Sequence, residues 1–243
     1  GAGAVADDGY AYAESLAYLC SQPERALKGV GPKRAQQLAK LGIATVADLL
    51  WHLPTGIVDR RQVRRVSDLV EGEVATVLLK VVSVNNPING PLRVSCVDVD
   101  GQGLDIVIFG GSSWRRAAEF VVGETKAVSG KVSANKYGGG LVMSSPDVIA
   151  PLADLDKVMV VHPTYPLTAG LSLLQLRSAI ALAIGSLEEL PFPPEWIDQD
   201  LMEGKGWPGL RDALVEAHSP QEEDDLCLDS ATRSRLAYDE LLA

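Results

Sequence analysis

The spacing of hydrophobic positions changes twice along the chain, from helical to strand-like and back. Apolar and aromatic residues recur at helical spacing from Tyr10 to Cys20. A helical hairpin is predicted next, because Gly29 and Gly31 allow a tight turn and Pro32 suits the first turn of a helix. Helical spacing returns later, and it predicts helices over residues 171–187, over 208–218 and, after a cap at Asp229-Ser230, through Leu241.

The middle of the chain has the alternation and the branched residues that are typical of β-strands. Turn signals such as Asn85-Asn86-Pro87 separate the apolar runs, and a short helix is predicted over residues 114–120. Pro146 interrupts the last run, because a proline cannot donate a hydrogen bond within a sheet. The predicted strands cover residues 74–84, 92–99, 104–109, 125–134 and 141–149.

Five strands with a helix between the third and the fourth form the order of an OB-type barrel. The predicted fold class is α+β: a five-stranded OB-type β-barrel flanked by an N-terminal helical hairpin segment and a C-terminal helical segment. We predict three domains, a helical segment over residues 1–65 with a helix-hairpin-helix-like motif, an OB-fold domain over 66–152 and a helical linker over 153–243. The last helix is still periodic where the chain ends, which we interpret as a sign of a fragment.

Composition indicates a globular protein rather than a membrane or disulfide-rich one. The 243 residues are 47% hydrophobic, and no apolar run approaches the roughly 20 residues of a membrane-spanning helix. The opening residues lack the basic-then-apolar order of a signal peptide, so a cytoplasmic location is expected. Cys20, Cys96 and Cys227 lie far apart without a C-x-x-C pair, which predicts reduced, structural thiols and no zinc site.

The distribution of charge changes the picture given by the net charge of −10, which alone argues against nucleic acid. Residues 27–65 carry 8 Lys and Arg against 2 Asp and Glu, whereas residues 151–243 carry 6 against 17. The chain therefore has a basic front and an acidic rear. The acidic rear has a simpler interpretation as a solvated surface.

Motifs for catalysis are missing from the sequence. No G-x-x-x-x-G-K-[ST] phosphate-binding loop and no G-x-S-x-G nucleophile elbow occurs. His52, His162 and His218 are too scattered to form a recognisable pair of metal ligands, so we expect structural roles for all three. This chain alone is predicted to hydrolyse no ATP, to bind no metal and to need no cofactor.

The predicted barrel instead offers a curved face and loops that can hold nucleic acid with cations along the backbone and aromatic rings under the bases. Two cations after Pro32 add a notch at a helix start, where free N–H groups suit a phosphate. The predicted DNA-binding residues are Arg93, Trp114, Arg115, Lys131, Lys136 and Tyr137 in the barrel, with Lys33 and Arg34 at the notch as weaker phosphate contacts.

Each of these candidates has a structural alternative. Trp114 could pack over one end of the barrel, and Tyr137 could cover its own hairpin. The arginines between Arg60 and Arg65 could pair with the acidic rear of the same chain, and the notch could brace the barrel without touching phosphate. The sequence alone leaves these alternatives open.

Several segments are similar to one family in order along the chain. The opening signature comprises Gly29-Val30-Gly31-Pro32-Lys33, Leu41-Gly42-Ile43, His52-Leu53-Pro54 and Asp59-Arg60, and the later segments are Lys136-Tyr137-Gly138, residues 165–172 and residues 235–242. Together they resemble the amino-terminal part of RecG-type DNA translocases, the superfamily-two helicases that remodel stalled replication forks. The resemblance covers roughly residues 24 to 243.

The resemblance implies that this chain is the OB-fold wedge with its flanking helices, and that an ATP- and magnesium-dependent motor lies beyond Ala243. It implies a non-catalytic module for fork reversal and branch migration, active in DNA repair and recombination. The implied partners are branched or forked DNA and a motor domain of the same polypeptide or of a partner protein, with no membrane. Two alternatives stay open: a general single-stranded nucleic-acid-binding OB protein, and an interaction scaffold that has lost DNA binding.

Overall fold

The computed structural model describes residues 13–111, 113–136, 138–192 and 195–241. Tyr137 and the predicted start of the first helix at Tyr10 therefore lie outside the described residues. The chain divides into two compact units, one formed by residues up to Ile57 together with those from Pro163 onward, the other by Val58–His162. The three-domain division made from the sequence stays a prediction.

The Val58–His162 unit contains a closed mixed barrel of five strands, as the hydrophobic pattern predicted, with its interior lined by one apolar cluster. The strand order around the barrel is β2-β3-β4-β6-β5, and β5 pairs back onto β2 to close it. The strands of the chain are β1 Gly56–Asp59, β2 Val74–Asn85, β3 Leu92–Val97, β4 Gly103–Ile108, β5 Thr125–Ala134, β6 Leu141–Ser144, β7 Val148–Pro151 and β8 Val161–Thr164.

The long strand β2 explains the closure, because its two halves pair with different neighbours. Its first half, from Val74, runs antiparallel to β5, and its second half, up to Asn85, runs antiparallel to β3. The two pairings meet at Lys80, and a register shift between Val81 and Ser83 follows in the pairing with β3. The parallel pairing of β4 with β6 completes the barrel.

The predicted fifth strand is two strands, β6 and β7, which pair with different halves of β5. Ser145 between them has φ 44°, a left-handed conformation that side chains rarely adopt, and Pro146 follows. Gly130 of β5 faces this break, and a Cβ there would lie 2.8 Å from the Cα of Pro146. Only glycine therefore fits where β5 passes the break.

The other unit is helical, and its helices bury one apolar cluster that includes Leu38, Leu49, Leu176 and Leu236. Its helices are α1 over residues 13–19, α2 Pro23–Ala26, α3 Pro32–Ala39, α4 Val46–Leu50, α7 Leu173–Glu189, α8 Gln199–Lys205, α9 Leu210–Ala217 and α10 Ala231–Leu241. The barrel unit contributes two short helices, α5 Ser113–Arg116 and α6 Leu155–Val158.

Local sequence signals account for several helix boundaries. Pro32 occupies the first position of α3, as predicted, and a capping box of Thr45 with Asp48 starts α4. The predicted cap of the last helix is confirmed, because the Ser230 hydroxyl accepts a hydrogen bond from the Arg233 N–H. None of the helices in the described part of the chain has the length and apolar character needed to span a bilayer.

Several elements escaped the sequence analysis, including the four-residue helices α2 and α6, and one prediction needs correction. The strands β1 and β8 are only four residues each and pair with one another, and α8 lies in an acidic stretch without a clear apolar stripe. The helix predicted over residues 114–120 is wrong in extent, since α5 ends at Arg116 and a single 3-10 turn follows. Such a short element buries too little surface to fix its length locally.

Candidate nucleic-acid interface

One end of the barrel presents apolar side chains to solvent. It is formed by the β2–β3 loop, residues 86–91, and by the segment that leads from β4 into α5. The Asn86 side chain ties the two together by donating to the Trp114 carbonyl at 3.4 Å. Ile88 is fully exposed, and Phe109 and Trp114 are 62% and 58% exposed. We call this group of three side chains the apolar tip.

A cation accompanies the apolar tip. The Arg115 guanidinium lies 5.1 Å from the centroid of the Trp114 ring, within range of a cation–π interaction. Among the described residues, no carboxylate lies within ion-pair distance of Arg115, whereas its neighbour Arg116 pairs with Glu119 at 3.0 Å. An exposed ring beside an unpaired guanidinium can stack on a base and contact a phosphate at the same time.

Arg93 is placed differently from Arg115, although both were predicted to contact DNA. It projects outward from β3, and its Nη1 donates to Oδ2 of Asp105 on β4 at 2.8 Å. The side chains of both residues are about one third exposed. The charge of Arg93 is therefore balanced by a neighbouring strand.

Lys131 and Lys136 lie at the opposite end of β2 from the apolar tip. Lys131 of β5 is opposite Val74, the first residue of β2, whereas the loop of the apolar tip follows Asn85, its last residue. Both lysines are exposed, and neither is ion-paired among the residues that the structure describes. The barrel candidates thus form two separate groups rather than one site.

Lys33 and Arg34 belong to the helical unit, at the start of α3. Gly29 has φ 94°, so the turn before α3 uses the left-handed conformation that favours glycine. Arg34 is half-buried and its Nη1 donates back to the Gly29 carbonyl at 3.2 Å, whereas Lys33 is exposed. Arg34 is therefore held against the turn before α3, whereas the side chain of Lys33 is exposed to solvent.

The arginines that precede the barrel pair with carboxylates of the barrel unit, which favours neither DNA contact nor pairing with the acidic rear. Arg61 pairs with Asp59 at 2.8 Å, and these hydrogen bonds lower the pKa of Asp59 to about 2. Arg65 pairs with Asp100 at 3.3 Å. These pairs leave the basic front less charged toward solvent than its composition indicates.

Arg60 is buried and acts as a clamp on the outside of the barrel. Its guanidinium donates to Nδ1 of His162 at 3.0 Å, to Oγ of Ser129 at 2.9 Å and to Oδ2 of Asp147 at 3.1 Å. Its carbonyl accepts a hydrogen bond from the Thr76 hydroxyl at 2.9 Å. Since Thr76 and Ser129 are opposite each other on β2 and β5, Arg60 fixes the entering chain to the closing pair of strands.

The three histidines have structural contacts, as expected. His162 accepts from Arg60, and His52 Nε2 lies 3.0 Å from the Pro166 carbonyl. His218 is buried, with Nε2 at 2.5 Å from the Leu50 carbonyl and Nδ1 at 2.8 Å from the Tyr165 hydroxyl. In the described part of the chain, no three His, Cys, Asp or Glu side chains are grouped so that they could hold a metal ion.

Sequence reasoning missed Ile88, Phe109 and Asp105. Ile88 is an isolated apolar residue in a loop, and Phe109 was expected at the end of the strand predicted over residues 104–109, although β4 ends at Ile108. Only the structure shows that both are exposed at the same end of the barrel as Trp114. The proximity of Asp105 to Arg93 depends on the β3–β4 register, in which Asp105 is opposite Ser95. The alternating pattern of the two strands places Arg93 and Asp105 on the same face of the sheet, but it does not predict that they are neighbours.

Comparison with known proteins gives a consistent result over most of the chain. The family model described as the RecG wedge domain matches residues 24–187. The ATP-dependent DNA helicase RecG of Thermotoga maritima is 31% identical over 88% of this chain, and that of Escherichia coli strain K12 is 30% identical over 93%. A solved structure of RecG bound to a three-way DNA junction matches 91% of this chain with a TM-score of 0.73 and 30% identity.

These relatives are much longer than this chain, which spans 27% and 33% of the two helicases and 30% of the chain in the solved structure. The family model covers the barrel, α3 and α4 before it and most of α7 after it. Since the family model accounts for most of the residues, the chain belongs to the RecG wedge domain family.

Proposed function

We propose that this chain is the branched-DNA-binding wedge module of a RecG-like DNA helicase for fork reversal and branch migration, without catalytic activity of its own. The observation that carries the proposal is the apolar tip, where Ile88, Phe109 and Trp114 project into solvent next to an unpaired Arg115. Exposed apolar side chains of this size need a partner surface to be covered. The faces of base pairs at a branch point provide one.

The geometry favours a branch point over a continuous duplex. In a continuous duplex the base faces are stacked on each other, so the apolar tip would meet only charged backbone. At a branch point the last base pair is open on one side, and Trp114 can stack on it for about 1–3 kcal/mol. Arg115 would then contact the adjacent phosphate, and separation of the strands would follow from the width of the barrel behind the tip.

The second group of cations can serve another arm of the same junction. Lys131 and Lys136 lie at the other end of β2, so they cannot contact the phosphates that Arg115 reaches. We assign to them, and to Tyr137 of the same hairpin, the backbone of a separate arm. Arg93 has no role as a direct contact in this proposal, because Asp105 occupies its guanidinium.

Catalysis is assigned to the part of the relatives that this chain does not match. The match covers only 27% and 33% of the two relatives, and the sequence here has no phosphate-binding loop. ATP and magnesium would therefore bind to a motor domain, in the same polypeptide or a partner protein, that pulls the duplex while the wedge separates its strands.

The test is a comparison of affinity for a three-way junction, a linear duplex and a single strand of matched length over a series of salt concentrations. We expect the chain to bind the junction most tightly of the three. The affinity for the junction should fall as the salt concentration rises, because protein cations displace the counterions of the DNA. Trp114→Ala should weaken junction binding roughly tenfold through the lost stacking. Leu174→Ala is the matched control, since it also removes an exposed apolar side chain, 71% exposed on α7 of the helical unit.

Each alternative predicts a different outcome. A general single-strand-binding protein would bind the unbranched strand as tightly as the junction. An interaction scaffold would bind none of the three, before or after the Trp114 substitution. Equal affinity for junction and duplex, or equal effects of the Trp114 and Leu174 substitutions, would refute the wedge proposal.

A further inference from the structure

The outward side of strands β3 and β4 has an unusual composition for a barrel of this class. We call it the strand face; it consists of Arg93, Ser95 and Val97 on β3 and of Asp105 on β4, since the alternate residues point into the barrel core. Val107 of β4 lies on the same side but is buried. OB barrels that hold single strands do so across this side, with aromatic rings under the bases and cations along the backbone. The strand face here has no aromatic ring, and its central cation, Arg93, is paired with a carboxylate.

Aromatic platforms are missing from both strands. The residues of β3 are Leu, Arg, Val, Ser, Cys and Val, and those of β4 are Gly, Leu, Asp, Ile, Val and Ile. The exposed rings of this barrel that the structure describes are Phe109 and Trp114, which follow β4 at the apolar tip. A strand lying across β3 and β4 would therefore have hydroxyl and aliphatic groups under its bases.

The central cation of the strand face is neutralised by a carboxylate. Arg93 donates to Asp105 at 2.8 Å, and about two thirds of each side chain is shielded from solvent. Partial shielding weakens screening by salt, so the pair persists better than a fully exposed one. Asp105 also adds a negative charge where phosphates would pass, which repels them.

The remaining charge on this side is at its far edge. Lys80 of β2 is opposite Val97 of β3, so it borders the strand face at the end away from the apolar tip. Ser83 and Asn85 of β2, which are opposite Ser95 and Arg93, carry no charge. One lysine at an edge provides a single phosphate contact, whereas single-strand sites track several nucleotides per barrel.

We infer that Asp105 is a specificity-determining residue, which prevents single-stranded DNA from binding across the strand face by neutralising Arg93 and repelling phosphate. The inference rests on the proposed function, since it explains how an OB barrel prefers branched DNA to the unbranched strands that many such barrels bind. Specificity of this kind comes from weakening the competing complex rather than from strengthening the desired one.

The test is Asp105→Asn, which keeps the shape of the side chain, frees Arg93 and removes one negative charge. Its affinity for a single strand should rise about tenfold at low salt, as expected for one added charge-assisted hydrogen bond. The salt dependence should become steeper by roughly 0.7 in the logarithmic slope, one more neutralised phosphate on a single strand. The affinity for the junction should change much less, so the ratio of junction affinity to single-strand affinity should fall.

Two further variants separate this role from a general effect of charge. Asp100→Asn is the matched control. It makes the same charge change and frees Arg65 from its ion pair, but Asp100 lies in the turn between β3 and β4 rather than on the strand face. The double variant R93Q/D105N should return single-strand affinity to the original value. Equal increases for the Asp105 and Asp100 variants, or no increase for Asp105→Asn, would overturn the inference.

The same measurements keep the two proposals distinguishable. If the unmodified protein shows no preference for the junction, the proposed function is refuted, whatever the Asp105 variant does. If the preference exists and Asp105→Asn leaves single-strand affinity unchanged, the wedge function stands and the inference about Asp105 is refuted. Thermal unfolding of every variant confirms that each compared protein is folded.

Discussion

The buried histidine of the helical unit should make stability depend on pH. Burial lowers the pKa of His218 from 6.5 to about 4, and the nearby Arg233 cation adds to this, although the hydrogen bond to the Leu50 carbonyl acts in the opposite direction. Because Nε2 contacts that carbonyl at 2.5 Å, it carries the proton, and Nδ1 accepts from the Tyr165 hydroxyl at 2.8 Å. A second proton on Nδ1 would replace this accepted hydrogen bond by a buried charge.

The magnitude follows from the difference between the folded and unfolded pKa of His218. The folded pKa is the lower one, so between pH 6.5 and 4 the unfolded state binds more protons and the free energy of unfolding falls as the pH falls. The contribution of His218 is complete above pH 6.5. From pH 7.5 to pH 5 it accounts for a loss of about 2 kcal/mol.

Urea unfolding at pH 7.5 and at pH 5.0 measures this loss, for the unmodified protein and for His218→Gln. Glutamine can still donate to the Leu50 carbonyl but does not titrate, so the loss should shrink by about 2 kcal/mol. His52→Gln, on the half-buried histidine beside Pro166, is the control and should keep most of the loss, because His52 is the smallest of the contributions that lower the pKa of His218. An unchanged pH dependence in His218→Gln would refute the reasoning. Because the pKa of Asp59 is lowered to about 2, its contribution to stability is constant between pH 7.5 and 5 and is lost only at lower pH.

Other substitutions test the barrel core and the state of its thiol. Gly130→Ala should destabilise the protein by roughly 1–3 kcal/mol in thermal or urea unfolding, because the new Cβ would lie 2.8 Å from the Pro146 backbone. Gly185→Ala, in the middle of α7 with open space around the added Cβ, should instead stabilise it by about 0.5–1 kcal/mol, and the opposite signs are the critical result. Burial raises the pKa of Cys96 to about 12, so a thiol reagent at pH 8 should titrate two of the three cysteines in the folded protein and the third only after unfolding. Three fast-reacting thiols would contradict the packed barrel interior.

The sequence by itself determined the elements whose signals are local. The alternation of branched residues predicted the strands of the OB-type barrel, because the strand period and the turn residues are set within a few positions. Pro32 and Ser230 marked helix starts for the same reason, since a cap satisfies N–H groups only two or three residues away. The break at Pro146 was also visible, although the pattern could not show that β6 and β7 pair with different halves of β5.

Only the tertiary structure decided which charges and rings are available to a ligand. Arg93 and Arg115 are alike in sequence, yet one is paired across strands with Asp105 and the other lies free beside Trp114. Arg60 belongs to a basic run but is buried against the closing strands. The physical reason is that ion pairs and exposed tips depend on strand register and barrel closure, which join residues far apart in the chain, whereas hydrophobic period records only the face that a residue occupies.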